Sequence, residues 1–368
     1  MSTLKPAWNR SSVHLVPSLQ RFIWQPWHVW LIGSMLLAIS LLMAGFSGAY
    51  TISWGDLLGA ASSANGSEAG SASQLVFFNI RLPRLLLGVA AGAGLGIAGA
   101  LMQGLFRNPL ADPGLIGVSS GAALAAGITI VLAASFMPDL PRKLGSWTLV
   151  VMAFAGGLAV TSLIYALAQN STTGVGTSMA LMLLAGVAVN ALAGAGLGFL
   201  SFLATDEQLR SLQFWLLGSL GGARWSAVIL VSCTVAVSCI AALHLAKPLN
   251  ALALGEVQAS MLGVEVERLK RISIVFTALA VGSVTATTGI IGFIGLVAPH
   301  AMRLIVGSDH RLVLPGSALL GASLVLLADA VARTIAKPAE LPLGVLTAFV
   351  GVPFFLLLLR AQRSRIAL

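Results

Sequence analysis

The chain has 368 residues, of which 57% are hydrophobic and only 9% charged, and its mean hydropathy is +0.95. That balance excludes an ordinary soluble domain, and the lack of apolar/polar alternation within the greasy runs excludes an outer-membrane barrel. The net charge of +9 does not point to nucleic acid, because Lys and Arg gather in the loops of membrane proteins that stay beside anionic cytoplasmic lipid.

Uncharged runs of about 20 residues recur along the chain, each able to cross a hydrocarbon core of about 30 Å as a helix. Residues 1–28 are mostly polar, so the first run, at 29–48, reads as a retained span rather than a cleaved signal. The stretch ASSANGSEAGSAS (61–73) follows as a flexible loop. Arg81 and Arg84, in NIRLPRLLLG, stand at the outer start of a second span at 85–105. Cations there oppose both the positive-inside bias and the positive end of the helix dipole. An acidic partner surface would offset them; snorkelling to lipid phosphates is the alternative.

Within the second span Gly94, Gly96 and Gly99 form a formal GxGxxG, but no strand precedes it and it lies at membrane depth, so it is no dinucleotide fingerprint. Gly88, Gly92 and Gly96 recur every four residues and form a smooth face for close helix packing. The stretch GLFRNPLADPGLIGVSSGAA (104–123) then sets Arg107, Asn108, Asp112 and two prolines between two apolar spans. Irregular backbone at membrane depth is tolerated only beside protein or a watery cavity.

Further spans fall at 115–135, 147–168 and 179–203, the last with Gly194 and Gly198 as a second small-residue face. A span at 226–246 holds the only cysteines, Cys233 and Cys239, which read as packing residues rather than a disulfide or metal pair. The longest cytoplasmic loop, 249–271 (LNALALGEVQASMLGVEVERLKR), is too charged to span, yet its apolar residues recur at helical spacing. Gly263 is expected to split it into two short helices, either lying on lipid or presented to a groove on a cytoplasmic protein.

Between Arg271 and Arg303 lie 31 uncharged residues, about 47 Å as one helix and therefore long for a single span. Two spans, 272–291 and 293–306 with GIIGFIG (289–295) turning between them, put 13 of the 21 Lys and Arg inside and 8 outside. One merged span would give 10 against 11 and erase the bias, so two spans stand. Spans at 313–333 and 342–360 complete ten, with both termini cytoplasmic. Asp329 precedes Arg333 by four residues and reads as its helical ion-pair partner rather than a proton-relay acid. The five histidines are scattered without ligand spacing, and no nucleophile set or paired carboxylates occur, so no metal, cofactor or catalysis is expected of this chain.

Four blocks in register now carry a resemblance: RLPRLLLGVAAGAGLGIAGALMQGLFRNPLADPGLIGVSSGAA (81–123), LALGEVQASMLGV (252–264), GFIGLVAPHAMRLIVGSDHRLVLPGSALLGASLVLLADAVAR (292–333) and ELPLGVLTAFVGVPFFLLLL (340–359). Together they resemble FecCD-type permease subunits of ATP-binding-cassette importers for iron chelates and vitamin B12. The resemblance implies an all-α, ten-span subunit of the bacterial inner membrane, with a permease domain at 29–361 and a cytoplasmic tail at 362–368. It further implies a homodimer with a second copy of the chain, two cytoplasmic ATPase subunits that bind the ATP and magnesium, and a periplasmic binding protein.

On the family's motif, Arg81, Arg84 and Arg333 fall on the positions that meet acidic residues of the binding protein. Leu254, Gly255, Glu256, Met261 and Gly263 fall on the coupling helices that rest on the ATPase. Asn108, Pro109 and Leu110 fall on the cytoplasmic gate. The companion loop QNSTTGVGTSM (169–179) departs from the B12-permease pattern, so no gate residues are assigned in it. The wording GLIGVSSGAA leans toward haem as cargo, then ferric siderophore, then B12. An ion-gradient-driven transporter is the competing class, and it fits poorly because mid-span charges are nearly absent.

Overall fold

The computed structural model describes residues 26–48, 74–136, 145, 147–170, 176–336 and 339–366. Most of the 1–28 segment, the 61–73 loop and the centre of the 169–179 loop lie outside the described residues. Twelve helices follow in order: α1 (Pro26–Phe46), α2 (Leu82–Leu105), α3 (Val118–Phe136), α4 (Trp147–Ala168), α5 (Met179–Leu203), α6 (Asp206–Leu217), α7 (Trp225–Leu252), α8 (Glu256–Met261), α9 (Val266–Thr288), α10 (Ile294–Val306), α11 (His310–Ile335) and α12 (Leu343–Ile366). A two-stranded hairpin, β1 (Gln169–Asn170) against β2 (Gly176–Thr177), joins α4 to α5.

Seven helices are long and apolar enough to cross a membrane, and three shorter apolar helices (Val118–Leu132, Ile294–Val306, Leu343–Leu357) accompany them. Helix dominates because lipid offers no partner to an open backbone N–H or C=O, so each span must satisfy its own. The expected separation of the seventh and eighth spans is present: α9 stops at Gly289, whose φ of +73° favours glycine, and α10 begins at Ile294.

The core is built around α2, of whose 24 residues 20 are buried. Its strongest neighbour is α11, and α7, α9 and α10 pack round the rest of it. The glycines make this possible. A methyl on Gly92 would collide with the backbone of Gly321 and Ala322, one on Gly96 with the Ser317 carbonyl, and one on Gly99 with the Gly295 carbonyl. Gly88 sits one turn further out, against the side chains of Leu326 and Leu220. Close backbone approach replaces the hydrophobic drive that is missing between helices in lipid. α5 is the opposite case, with only Met182, Gly186, Ala193 and Leu200 buried. Gly194 and Gly198, expected to repeat the packing device, have no neighbour within 4 Å in this subunit.

Two further expectations are corrected. Helix runs unbroken from Gln74 to Leu105, so Arg81 and Arg84 sit within a helix rather than at its mouth. A π-turn at Phe77–Arg81 absorbs Pro83, which has no N–H for the ordinary ladder. The 249–271 loop holds one short helix, not two: α7 continues to Leu252, α8 covers 256–261 and α9 already starts at Val266. α12 itself runs to Ile366.

Candidate functional site

Three places carry polar chemistry in this apolar frame. The first is the end of the bundle where α1 stops. Arg81, Arg84 and Arg333 are 5%, 8% and 7% exposed, so the cations read as an outer rim are drawn into the fold. Arg84 forks onto two carboxylates, reaching Asp329 at 2.8 Å and both oxygens of Glu340 at 2.9 Å. Asp329, expected to serve Arg333 alone, is shared: Arg333 Nε lies 3.0 Å from its second oxygen. Arg333 also donates to the Ser47 and Ala44 carbonyls at 2.7 and 2.9 Å, and Arg81 to the Gly45 carbonyl at 2.7 Å. These are the last carbonyls of α1 and the residues just beyond it, groups that a helix leaves unsatisfied and that attract cations. Much of the compensation that the sequence demanded therefore comes from inside the chain. Glu340, with 46% of its side chain exposed, is the member that reaches the surface.

The second place is α8 and its flanks. Gly255 (φ +124°) and Gly263 (φ +82°) bracket the helix in backbone conformations that L side chains rarely adopt. Leu254, Val257, Met261 and Leu262 are 63–81% exposed, while Ala259 packs inward. Four neighbouring apolar side chains standing out between charged residues form a knob rather than a lipid-embedded stripe. Beneath it lies Lys270, which is 1% exposed. It donates to Glu256 and Glu267 at 2.9 Å and to the Thr177 carbonyl at 2.8 Å.

The third is the hairpin between α2 and α3. Arg107 takes φ +50°; Asn108 Oδ1 then accepts from the Leu110 N–H at 2.9 Å and closes a local turn. Asp112 caps the Pro113–Ile116 turn through the Gly114 N–H at 2.7 Å. Burial raises the Asp112 carboxyl above its usual range, with that hydrogen bond acting against the shift. Leu110 and Asp112 to Gly114 face a cavity of about 360 Å³ shared with Ile290–Phe293 and Phe355. Asn190 of α5 donates to the Gly114 carbonyl at 3.3 Å, and Gly186 of α5 packs against the Leu115 carbonyl.

Several of these partners were not found by sequence reasoning. Glu340 is 256 residues from Arg84, a pairing no local pattern reveals. Lys270 could have been flagged by Glu267 at i−3, a spacing for helical ion pairs. α6 carried a readable signature, since Thr205 and Gln208 form a capping box around Asp206 and Glu207. Among the described residues no group of His, Cys, Asp and Glu could hold a metal ion.

A bundle of long apolar helices that carries a buried cation cluster, an exposed apolar knob and a hairpin-lined cavity has the make-up of an integral membrane protein. The chain belongs to the FecCD transport family, which matches residues 36–361. It is 44% identical to the hemin transport system permease protein HmuU of Yersinia pestis over 337 residues, covering 91% of this chain and 96% of that protein. It is 39% identical to the vitamin B12 import system permease protein BtuC of Klebsiella pneumoniae over 337 residues, covering 91% and 95%. Its fold is similar to a metal-chelate type ABC transporter solved in an inward-facing conformation, with a TM-score of 0.78 and 30% identity, covering 92% of this chain and all of that one. The chain is thus the inner-membrane permease component of an ABC importer of the haem, B12 and metal-chelate group, a transport component rather than a catalytic subunit.

Proposed function

We propose that this permease pairs with a second copy of itself and imports haem from periplasm to cytoplasm, with both termini cytoplasmic. Two cytoplasmic ATPase subunits, which themselves bind the ATP and magnesium, dock below on Leu254, Gly255, Glu256, Met261 and Gly263. A periplasmic binding protein delivers the cargo above, onto the face of Arg81, Arg84 and Arg333. Those three cations and the two carboxylates Asp329 and Glu340 sum to one positive charge, which suits an acidic partner surface. Asn108, Pro109 and Leu110 close the cytoplasmic end of the path. The observation that carries the reading is the exposed apolar knob of α8, set between two glycine turns and tied to Lys270 through Glu256. It has the form of a helix made to sit in a groove on another protein. Haem is favoured over the other chelates by the 44% identity to a hemin permease against 39% to a B12 permease over equal lengths.

Two measurements test this. Replacing residues 254–264 by a Gly/Ser linker is expected to abolish co-purification of the co-expressed ATPase, and retention overturns the coupling role. The reconstituted complex, given cognate binding protein, is expected to take up haem faster than ferric siderophore or cobalamin; the reverse order overturns the cargo.

A further inference from the structure

Lys270 is a full charge at 1% exposure, and each of its three N–H donors is spent on a different piece of backbone or side chain. Glu256 belongs to the knob helix α8, Glu267 to the first turn of α9, and the Thr177 carbonyl to β2. Glu267 completes the clamp by accepting the Thr177 N–H on its other oxygen at 2.9 Å. Both backbone groups of Thr177 are therefore held by one turn of α9, much as a neighbouring strand would hold them. Gly176 packs against the Glu267 side chain and takes φ +79°, a backbone conformation that favours glycine. Burying the Lys270 ammonium costs desolvation that two half-exposed carboxylates do not clearly repay, so the value of the clamp lies in what it fastens together.

Its far side leads to the path. Thr177 is followed at once by Ser178, which caps α5 through the Leu181 N–H and donates its own N–H to the Ala168 carbonyl at the end of α4. About 14–20 Å up that helix rod, Gly186 and Asn190 press on Leu115 and Gly114 of the hairpin between α2 and α3. The contacts are continuous from the knob to the hairpin.

We infer that Lys270 is the positioning residue that passes movement of the ATPase-facing segment 254–264 to β2 and α5, and through them to the 107–117 hairpin. This rests on the permease reading above and adds the residue that links engine to path. Without the clamp, α8 and α5 move independently, and hydrolysis no longer drives the path open. The signature is a lower number of cargo molecules imported per ATP, not merely a slower or less abundant complex.

The test uses the complete complex in proteoliposomes with binding protein, comparing wild type with Lys270→Met for uptake and for hydrolysis of ATP. The chelate used is the one that the wild-type complex imports. The uptake-per-ATP ratio is expected to fall about tenfold, within the range of coupling between distant sites. Should Lys270→Met not fold, Glu267→Gln loosens the same clamp while leaving Glu256 to pair Lys270, and its ratio is expected to fall in the same direction. A ratio within about twofold of wild type in the folded variant overturns the inference, whether both rates drop together or neither does. A wild-type complex that imports none of the chelates on ATP overturns the permease reading and this inference together; a coupled wild type beside an unaltered variant overturns the inference alone.

Discussion

Asp329 shows how much one carboxylate can hold in an apolar bundle. It is 2% exposed and lies within hydrogen-bond reach of both Arg84 and Arg333, so removing it takes a buried counter-charge from two guanidiniums at once, leaving Arg84 to Glu340 and Arg333 to the carbonyls of Ala44 and Ser47. Glu340 touches Arg84 equally closely but remains 46% exposed, and water can take its place. Breaking a buried pair costs about 3–5 kcal/mol, whereas an exposed one is worth about 1 kcal/mol or less. Asp329→Ala is therefore expected to lower the thermal midpoint of the detergent-solubilised protein far more than Glu340→Ala. Equal losses would show that the two acids share the load, and that Asp329 is not the keystone of the cluster.

At the scale of elements, the four-residue glycine spacing of α2 has a direct mechanical meaning. Gly96 meets the Ser317 carbonyl with no space for a methyl, while Gly194 of α5 meets nothing in its own subunit. Overpacking of a tight contact costs about 1–3 kcal/mol, and open positions shift stability by about 0.5 kcal/mol or less. Gly96→Ala is expected to depress the unfolding midpoint of the solubilised subunit and Gly194→Ala to leave it unchanged; the opposite ranking would displace α2 from the centre of the bundle. The same pair marks what could be read beforehand. Both glycine faces were visible as spacing, but which one finds a neighbour depends on helices far apart in sequence. The ten apolar spans were legible because lipid demands uniformly apolar stretches. Their ends were not, since hydropathy stops at the bilayer while the hydrogen-bond ladder of α7 continues to Leu252 and that of α9 begins at Val266. Arg81, Arg84 and Arg333 were legible as cations in need of partners; that α1's terminal carbonyls supply part of that need was not.

For the whole molecule, the decisive property is sidedness, because cargo and energy must arrive from opposite faces. The positive-inside count of 13 against 8 rests on treating α9 and α10 as separate passes, and the break at 289–293 makes them separate helices. α10 has 13 residues, about 20 Å of helix, less than a bilayer core of about 30 Å. As a straight helix α10 alone therefore falls short of such a core. With the N-terminus cytoplasmic as proposed above, the single pass of α7 puts Met261, on α8, on the cytoplasmic face and Gly222, in the turn before α7, on the periplasmic face. Met261 is 81% exposed and Gly222 has open space around it, so a cysteine fits at either position. In a background with Cys233 and Cys239 replaced by serine, a membrane-impermeant thiol reagent is expected to label Gly222→Cys in right-side-out vesicles. Met261→Cys is expected to react only once the vesicles are opened or inverted. Labelling of both from one side would require an odd number of passes between residues 222 and 261 to be lost, and with it the separation of docking face from drive.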